Sequence, residues 1–223
     1  MAQIWVPNFK SKIKLLQSIL FPTRTNFNIM ELVFATHNLN KVIEVQDMLV
    51  RDIQLVGLDQ LGFNQEIDED GLDLESNALI KAMHVWGLFG KNCFADDTGL
   101  EVEALNGLPG VFSARFAGEQ KNDKANIELL LEKMKDKSNR RAQFRTVICL
   151  VLDGEKYFFE GVIQGEITHE PRGNGGFGYD SVFMPAGFDI TFAEMDMYTK
   201  NAISHRSIAF KKLVAHLNGL KNI

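Results

Sequence analysis

The sequence predicts a mixed α/β protein, and three stretches carry that reading. A short apolar run at Phe94 and Ala95 delivers two adjacent acids, Asp96 and Asp97. A strand, a polar loop and a helix follow one another from Glu31, and two apolar, β-branched runs meet at Asp153-Gly154. In α/β proteins ligands bind at the carboxyl edge of the strands, so the first stretch puts two carboxylates where chemistry is expected. Adjacent carboxylates repel; they persist when a cation holds them or when one has a raised pKa. The same four residues, Asp96 to Gly99, also read as ordinary turn chemistry.

Taken in order, residues 1–29 stand apart. They carry Lys10, Lys12, Lys14 and Arg24 with no acid, a charge of +4, whereas the remainder holds 20 basic and 29 acidic side chains. The segment reads as a basic extension, either an appendage or a short amphipathic helix, and it lacks the long apolar region of a signal peptide. Residues 30–223 then form one domain. Glu31 to Ala35 is a strand, and Thr36-His37-Asn38-Leu39-Asn40-Lys41 leads into a helical pattern that opens with the lysine. Backbone N–H groups and a positive helix end in such a loop attract an anion, and Lys41 adds a point charge. No GxxxxGK[ST] pattern occurs, so this is not a Walker A loop. As plain structure, it is a helix capped by Asn38 or Thr36.

Ile53 to Leu58 reads as a second strand. The acidic loop that follows holds Glu66, Asp68, Glu69 and Asp70, either a solvated turn or a source of one hard oxygen ligand for a divalent cation. A helix is predicted from about Leu74 to Phe89, carrying Glu75, Asn77 and Lys81. Asn122 to Lys137 has helical period. Phe144 to Leu152 and Tyr157 to Ile167 read as an antiparallel hairpin. The glycine-rich loop from Arg172 to Asp180 offers two ring faces, Phe177 and Tyr179. Ser204 fits a cap for a last helix to about Leu217, placing His205 and Arg206 in a first turn whose dipole favours anions.

Composition excludes several classes. The chain of 223 residues is 45% hydrophobic, with a net charge of -5 concentrated in an acidic body, which argues against binding a nucleic-acid polymer. No apolar run reaches the roughly 18–20 residues of a membrane span. Its two cysteines, Cys93 and Cys149, sit in apolar runs without metal or disulfide spacing, which fits a reducing, cytoplasmic setting.

Four stretches in this order, THNLNK, FADDTGLEVEALNGLPGVFSARFAG, GGFGYD and KNAISHR, resemble the inosine triphosphate pyrophosphatase family over residues 30–218. The resemblance implies a two-lobed fold with a long mixed central sheet flanked by helices, the active site in the cleft, and a homodimer. It implies hydrolysis of purine nucleoside triphosphates with altered bases, such as ITP, dITP and XTP, to the monophosphate plus pyrophosphate. Thr36, His37, Asn38, Leu39, Asn40 and Lys41 match the family's phosphate loop, with His37 where the family carries glycine. Glu69 and Asp97 match its Mg²⁺ ligands, Asp97 being also the general base, with Asp96 beside it. Lys81, Thr98, Phe177, Gly178, Tyr179, Asp180, Lys200, His205 and Arg206 match substrate contacts, Phe177 stacking on the base and His205 or Arg206 donating to its 6-oxo group. Two rivals are a pyrophosphatase for other nucleotides and a nucleotide-binding protein without activity; a missing base or metal ligand would mark the latter.

Overall fold

The computed structural model describes residues 30–46, 49 and 53–219; the basic extension lies outside them. The strands are β1 (Met30–Phe34), β2 (Ile53–Gly57), β3 (Cys93–Val102), β4 (Arg141–Leu152), β5 (Glu155–Ile167) and β6 (Phe183–Pro185). The helices are α1 (Leu39–Gln46), α2 (Leu74–Phe89), α3 (Asp123–Met134), α4 (Met197–Ile203) and α5 (His205–Gly219). One six-stranded sheet runs in the order β2-β1-β3-β4-β5-β6. β1 is parallel to β2 and β3, while β3 through β6 pair antiparallel, so the sheet is mixed.

Local chemistry accounts for most boundaries. Asp73 caps α2 by accepting from the Ser76 N–H at 2.7 Å, and Gly90 ends it with a left-handed φ of 59°. Asn122 caps α3, which stops at Met134; the expected last turn to Lys137 is only turn hydrogen bonds. Asp153 and Gly154 both have positive φ, 50° and 88°, the two-residue turn that matches strand twist in a hairpin. α4 is an element that the sequence pattern did not suggest.

β3 corrects the expectation of a short strand ending in acids. It runs for ten residues, and Asp96 and Asp97 lie in its middle, opposite Ile148 and Val147 of β4. Its pairing with β1 stops at Phe34–Phe94, so the acids emerge just beyond the carboxyl end of β1. Because side chains alternate along a strand, the two carboxylates leave on opposite faces of the sheet. They are not a side-by-side pair.

Each face has its own core. Leu32, Phe34 and Phe94 pack with Val42 and Val45 of α1 and with Phe210 and Leu213 of α5. On the other face Val33, Cys93 and Cys149 pack against Leu74, Ala78, Ala82 and Val85 of α2, and both cysteines are free. A third cluster packs Leu100, Phe144 and Phe183 against Leu130 and Met134 of α3. Burying each such Leu or Phe contributes roughly 1.5–3 kcal/mol. The first turn of α5 rests directly on β5, since a Cβ on Gly161 would lie 2.0 Å from the His205 carbonyl oxygen. Among the described residues no helix is long and apolar enough to cross a membrane.

Candidate active site

The loop after β1 carries the first cation. Asn38 accepts from the Lys41 N–H at 3.3 Å and donates its own N–H to Thr36 Oγ1 at 3.1 Å, so both candidate caps are used in series. α1 begins at Leu39, two residues before the expected lysine, which makes Lys41 its third residue. That places the Lys41 ammonium over the sheet, where it donates to both oxygens of Asp96 at 3.0 Å. The side chains of Leu39 and Asn40 lie outside the described residues.

His37 occupies an ordinary backbone region, since positive φ outside glycine occurs only at Asn106, Lys121 and Asp153 among the described residues. Its ring is taken up by protein acceptors, Asp59 Oδ1 at 2.6 Å and the Gln65 carbonyl at 3.0 Å. Both nitrogens can donate only in the imidazolium, so the Asp59 carboxylate, with Gln65, raises the His37 pKa above its usual value. His37 therefore ties the loop after β1 to the segment leading into the acidic loop.

Asp96 is buried on the α5 face, where Arg206 Nε stands 3.6 Å from Oδ2. Burial works against its charge, but Lys41, Arg206 and Lys81 outweigh burial and hold the carboxyl well below the usual carboxylate range. Asp97 points to the α2 face. There burial pushes its carboxyl up; Lys81 and the Asn77 amide oppose the rise, while Glu69 and Asp96 add to it. Neighbours in sequence thus have opposite characters: a fixed anion and a carboxylate disposed to take up a proton.

α2 presents Asn77 and Lys81, one turn apart, to the two oxygens of Asp97. Asn77 Nδ2 donates to Oδ2 at 3.1 Å, and Lys81 Nζ stands 3.4 Å from Oδ1. The same ammonium donates to Glu69 Oε1 at 2.7 Å. Within the acidic loop Glu69 is partly buried, whereas Asp68 and Asp70 are exposed. Arg115 fixes the loop by donating to the Glu69 carbonyl at 3.0 Å. Two carboxylates flanking one cation are hard-oxygen donors that suit Mg²⁺, which takes one or two protein carboxylates and completes its shell with water and phosphate. No group of three or more His, Cys, Asp or Glu fit to hold a metal occurs among the described residues, so a cage made wholly of protein is not on offer.

An aromatic ring stands beside the Arg206 that faces Asp96. The Phe177 ring is 63% exposed, with the Lys200 ammonium 5.0 Å and the Arg206 guanidinium 5.6 Å from its centroid. His205 is buried, stacked on Phe144 at 4.7 Å, and its Nδ1 has no hydrogen-bond partner in the protein. Burial, with Arg206 and Lys200 nearby, holds its pKa well below the ordinary value, so the ring is neutral. Ser204 caps α5 by accepting from the Ser207 N–H at 3.2 Å, as its position suggested.

Four of the expected substrate contacts have partners within the scaffold. Tyr179 is buried and donates to the Ser113 carbonyl at 2.9 Å, so its ring is not an open face. Asp180 is buried too, accepting from Lys200 at 2.6 Å and from the Phe177 N–H at 2.8 Å. The Gly178 N–H donates to Asp123 at 2.7 Å, tying the glycine-rich loop to α3. Thr98 shares a hydrogen bond with the buried Thr146 hydroxyl at 2.8 Å. Sequence reasoning placed Asn77 on its helix without giving it a role and passed over Arg115; the four-residue spacing of Asn77 and Lys81 on a helix was the available signal for the first.

With this arrangement in view, comparison with known proteins is specific. Residues 32–216 match the model of the Ham1 family. A dITP/XTP pyrophosphatase of Christiangramia forsetii is 50% identical over 189 residues, 85% of this chain and 100% of that protein. One from Porphyromonas gingivalis is 51% identical, over 82% of this chain and 95% of its own length. The solved structure of the Staphylococcus aureus Ham1 protein aligns with a TM-score of 0.81 at 40% identity, over 85% of this chain and 98% of that one. The chain belongs to the Ham1 family.

Proposed function

We propose that this protein hydrolyses purine nucleoside triphosphates with altered bases, ITP, dITP and XTP, to the monophosphate and pyrophosphate, using Mg²⁺. The observation that carries the reading is the placement of Glu69 and Asp97 around one cation position, with Lys41 and Arg206 converging on Asp96 across the sheet. The relatives named as dITP/XTP pyrophosphatases support the substrate class.

Glu69 and Asp97 would hold the metal, which when bound neutralises phosphate charge and orients the attacking water. Asp97 takes the proton of that water as its oxygen attacks the α-phosphorus; the bond to the bridging oxygen breaks, and pyrophosphate leaves. Asn77 keeps one oxygen of Asp97 occupied, while the other faces the Lys81 ammonium that Glu69 shares. Lys81 and Lys41 supply positive charge along the polyphosphate. The exposed Phe177 ring stacks on the base, with the Lys200 and Arg206 cations near its centroid.

Discrimination against adenine follows from donors. A neutral His205 can donate its one N–H to a 6-oxo group, and Arg206, which only donates, matches that oxygen and is left with unmatched donors against a 6-amino group. Discrimination of this type reaches about 10⁴-fold. A nucleotide panel with pyrophosphate detection tests the proposal: ITP, dITP and XTP should be turned over far faster than ATP. Comparable rates on ATP, or none on ITP, would overturn it.

A further inference from the structure

We propose that Asn77 is a positioning residue that sets the two metal-binding carboxylates in register. The inference rests on the roles assigned to Asp97 and Glu69 above. Asn77 is wholly buried on α2 and uses both ends of its amide. Nδ2 donates to Asp97 Oδ2 at 3.1 Å, and Oδ1 accepts from the Gly71 N–H at 2.8 Å. A carboxylate accepts and an N–H donates, so these partners fix the amide orientation uniquely.

Gly71 lies two residues beyond Glu69 in the acidic loop. One side chain therefore joins the loop bearing Glu69 to the strand bearing Asp97. The approach is close: a Cβ on Gly71 would lie 2.5 Å from Asn77 Oδ1 and 2.8 Å from Ser76 Cβ. Only glycine lets the loop come down onto the amide. Lys81, one turn along α2, then reaches both Glu69 and Asp97 from the same helix face.

Without Asn77, Asp97 Oδ2 loses its amide donor and the Gly71 N–H its acceptor, so Lys81 is left to bridge Glu69 and Asp97 without that second link. The carboxylates themselves remain, but their separation is less firmly set. Groups that orient metal ligands typically change metal affinity or activity by about 10–100-fold when removed.

The test uses the full chain with Mn²⁺ as the probe. Mn²⁺ binding to the nucleotide-free protein is followed by water-proton relaxation, and kcat and KM for ITP are measured alongside. Asn77→Ala should weaken Mn²⁺ binding and lower kcat by about 10–100-fold each. KM should move less than about threefold, because the base pocket and Lys41 are untouched. Mn²⁺ affinity and kcat both within about threefold of wild type would overturn the inference, whatever the melting temperature does. If Asn77→Ala does not fold, Gly71→Ala decides: the added methyl displaces the acidic loop and should give the same losses, and unchanged binding and turnover would overturn the proposal. Asp97→Asn separates the two readings. Near-normal turnover there removes the catalytic assignment itself, whereas its loss beside normal Asn77 and Gly71 variants removes only the positioning role.

Discussion

Asp96→Asn and Asp97→Asn are the same chemical change at adjacent residues, yet the structure gives them opposite consequences. The Asp96 side chain is 3% exposed and faces Lys41 at 3.0 Å and Arg206 at 3.6 Å. With an effective dielectric of 20, each contact is worth roughly 5 kcal/mol in gross attraction, before the cost of removing the charges from water. Removing the anion alone leaves two partly buried cations facing an amide, a change that costs about 3–5 kcal/mol. For a chain of this size each kcal/mol moves the melting temperature by about 2–4 °C, so Asp96→Asn should melt roughly 6–20 °C lower. Because the folded carboxyl sits below its usual value, this stability is present in full above the unfolded pKa of about 3.9 and is lost as pH falls toward the folded value. The difference between wild type and variant in calorimetry at pH 6.5 should therefore shrink below pH 4. Tripolyphosphate should raise the variant's melting temperature more than that of wild type, by returning an anion to Lys41 and Arg206. A variant that melts within 2 °C of wild type at pH 6.5 would refute the clamp (about 1 kcal/mol on the same scale).

Asp97→Asn removes a carboxylate that burial already disfavours, so stability should be unchanged or raised while turnover on ITP falls at least about 10²-fold; near-normal turnover removes the residue from the catalytic role. His37→Gly loses the contacts to Asp59 and Gln65 and adds unfolded-chain freedom, the latter costing up to about 1 kcal/mol, while KM for ITP changes less than about fivefold. The His37 pKa is raised, so its contribution is complete below about pH 6.5 and disappears as pH rises through the folded value. The melting-temperature deficit should be larger at pH 6 than at pH 8.5, and a deficit independent of pH would contradict that. Deletion of residues 1–29, to start at Met30, should leave ITP turnover close to that of the full chain, because every matched motif lies later; a folded but inactive truncation would show that the extension builds the site.

Much of this was written locally. α2 is bounded by the Asp73 cap and Gly90, and Asp153-Gly154 dictates its hairpin, so both could be read from a few residues. The two carboxylates could be found but not oriented. Whether Asp96 and Asp97 end a strand or lie within one depends on β4, which pairs with β3 along its whole length and comes from a segment 40 or more residues later. Only then does strand alternation send them to different faces. Tyr179 and Asp180 show the same limit: their chemistry suits a ligand site, but Ser113 and Lys200, which occupy them, are brought close only by the fold. Asn77 lay in view on its helix, and its role emerged from the closeness of Gly71.

The central claim is attack of water at the α-phosphorus, and the position of the solvent oxygen tests it most directly. ITP hydrolysed with Mg²⁺ in ¹⁸O-enriched water should yield inosine monophosphate carrying one label, together with unlabelled pyrophosphate, by ³¹P NMR and mass spectrometry. Label in pyrophosphate, or inosine diphosphate and labelled orthophosphate as the main products, would contradict the account.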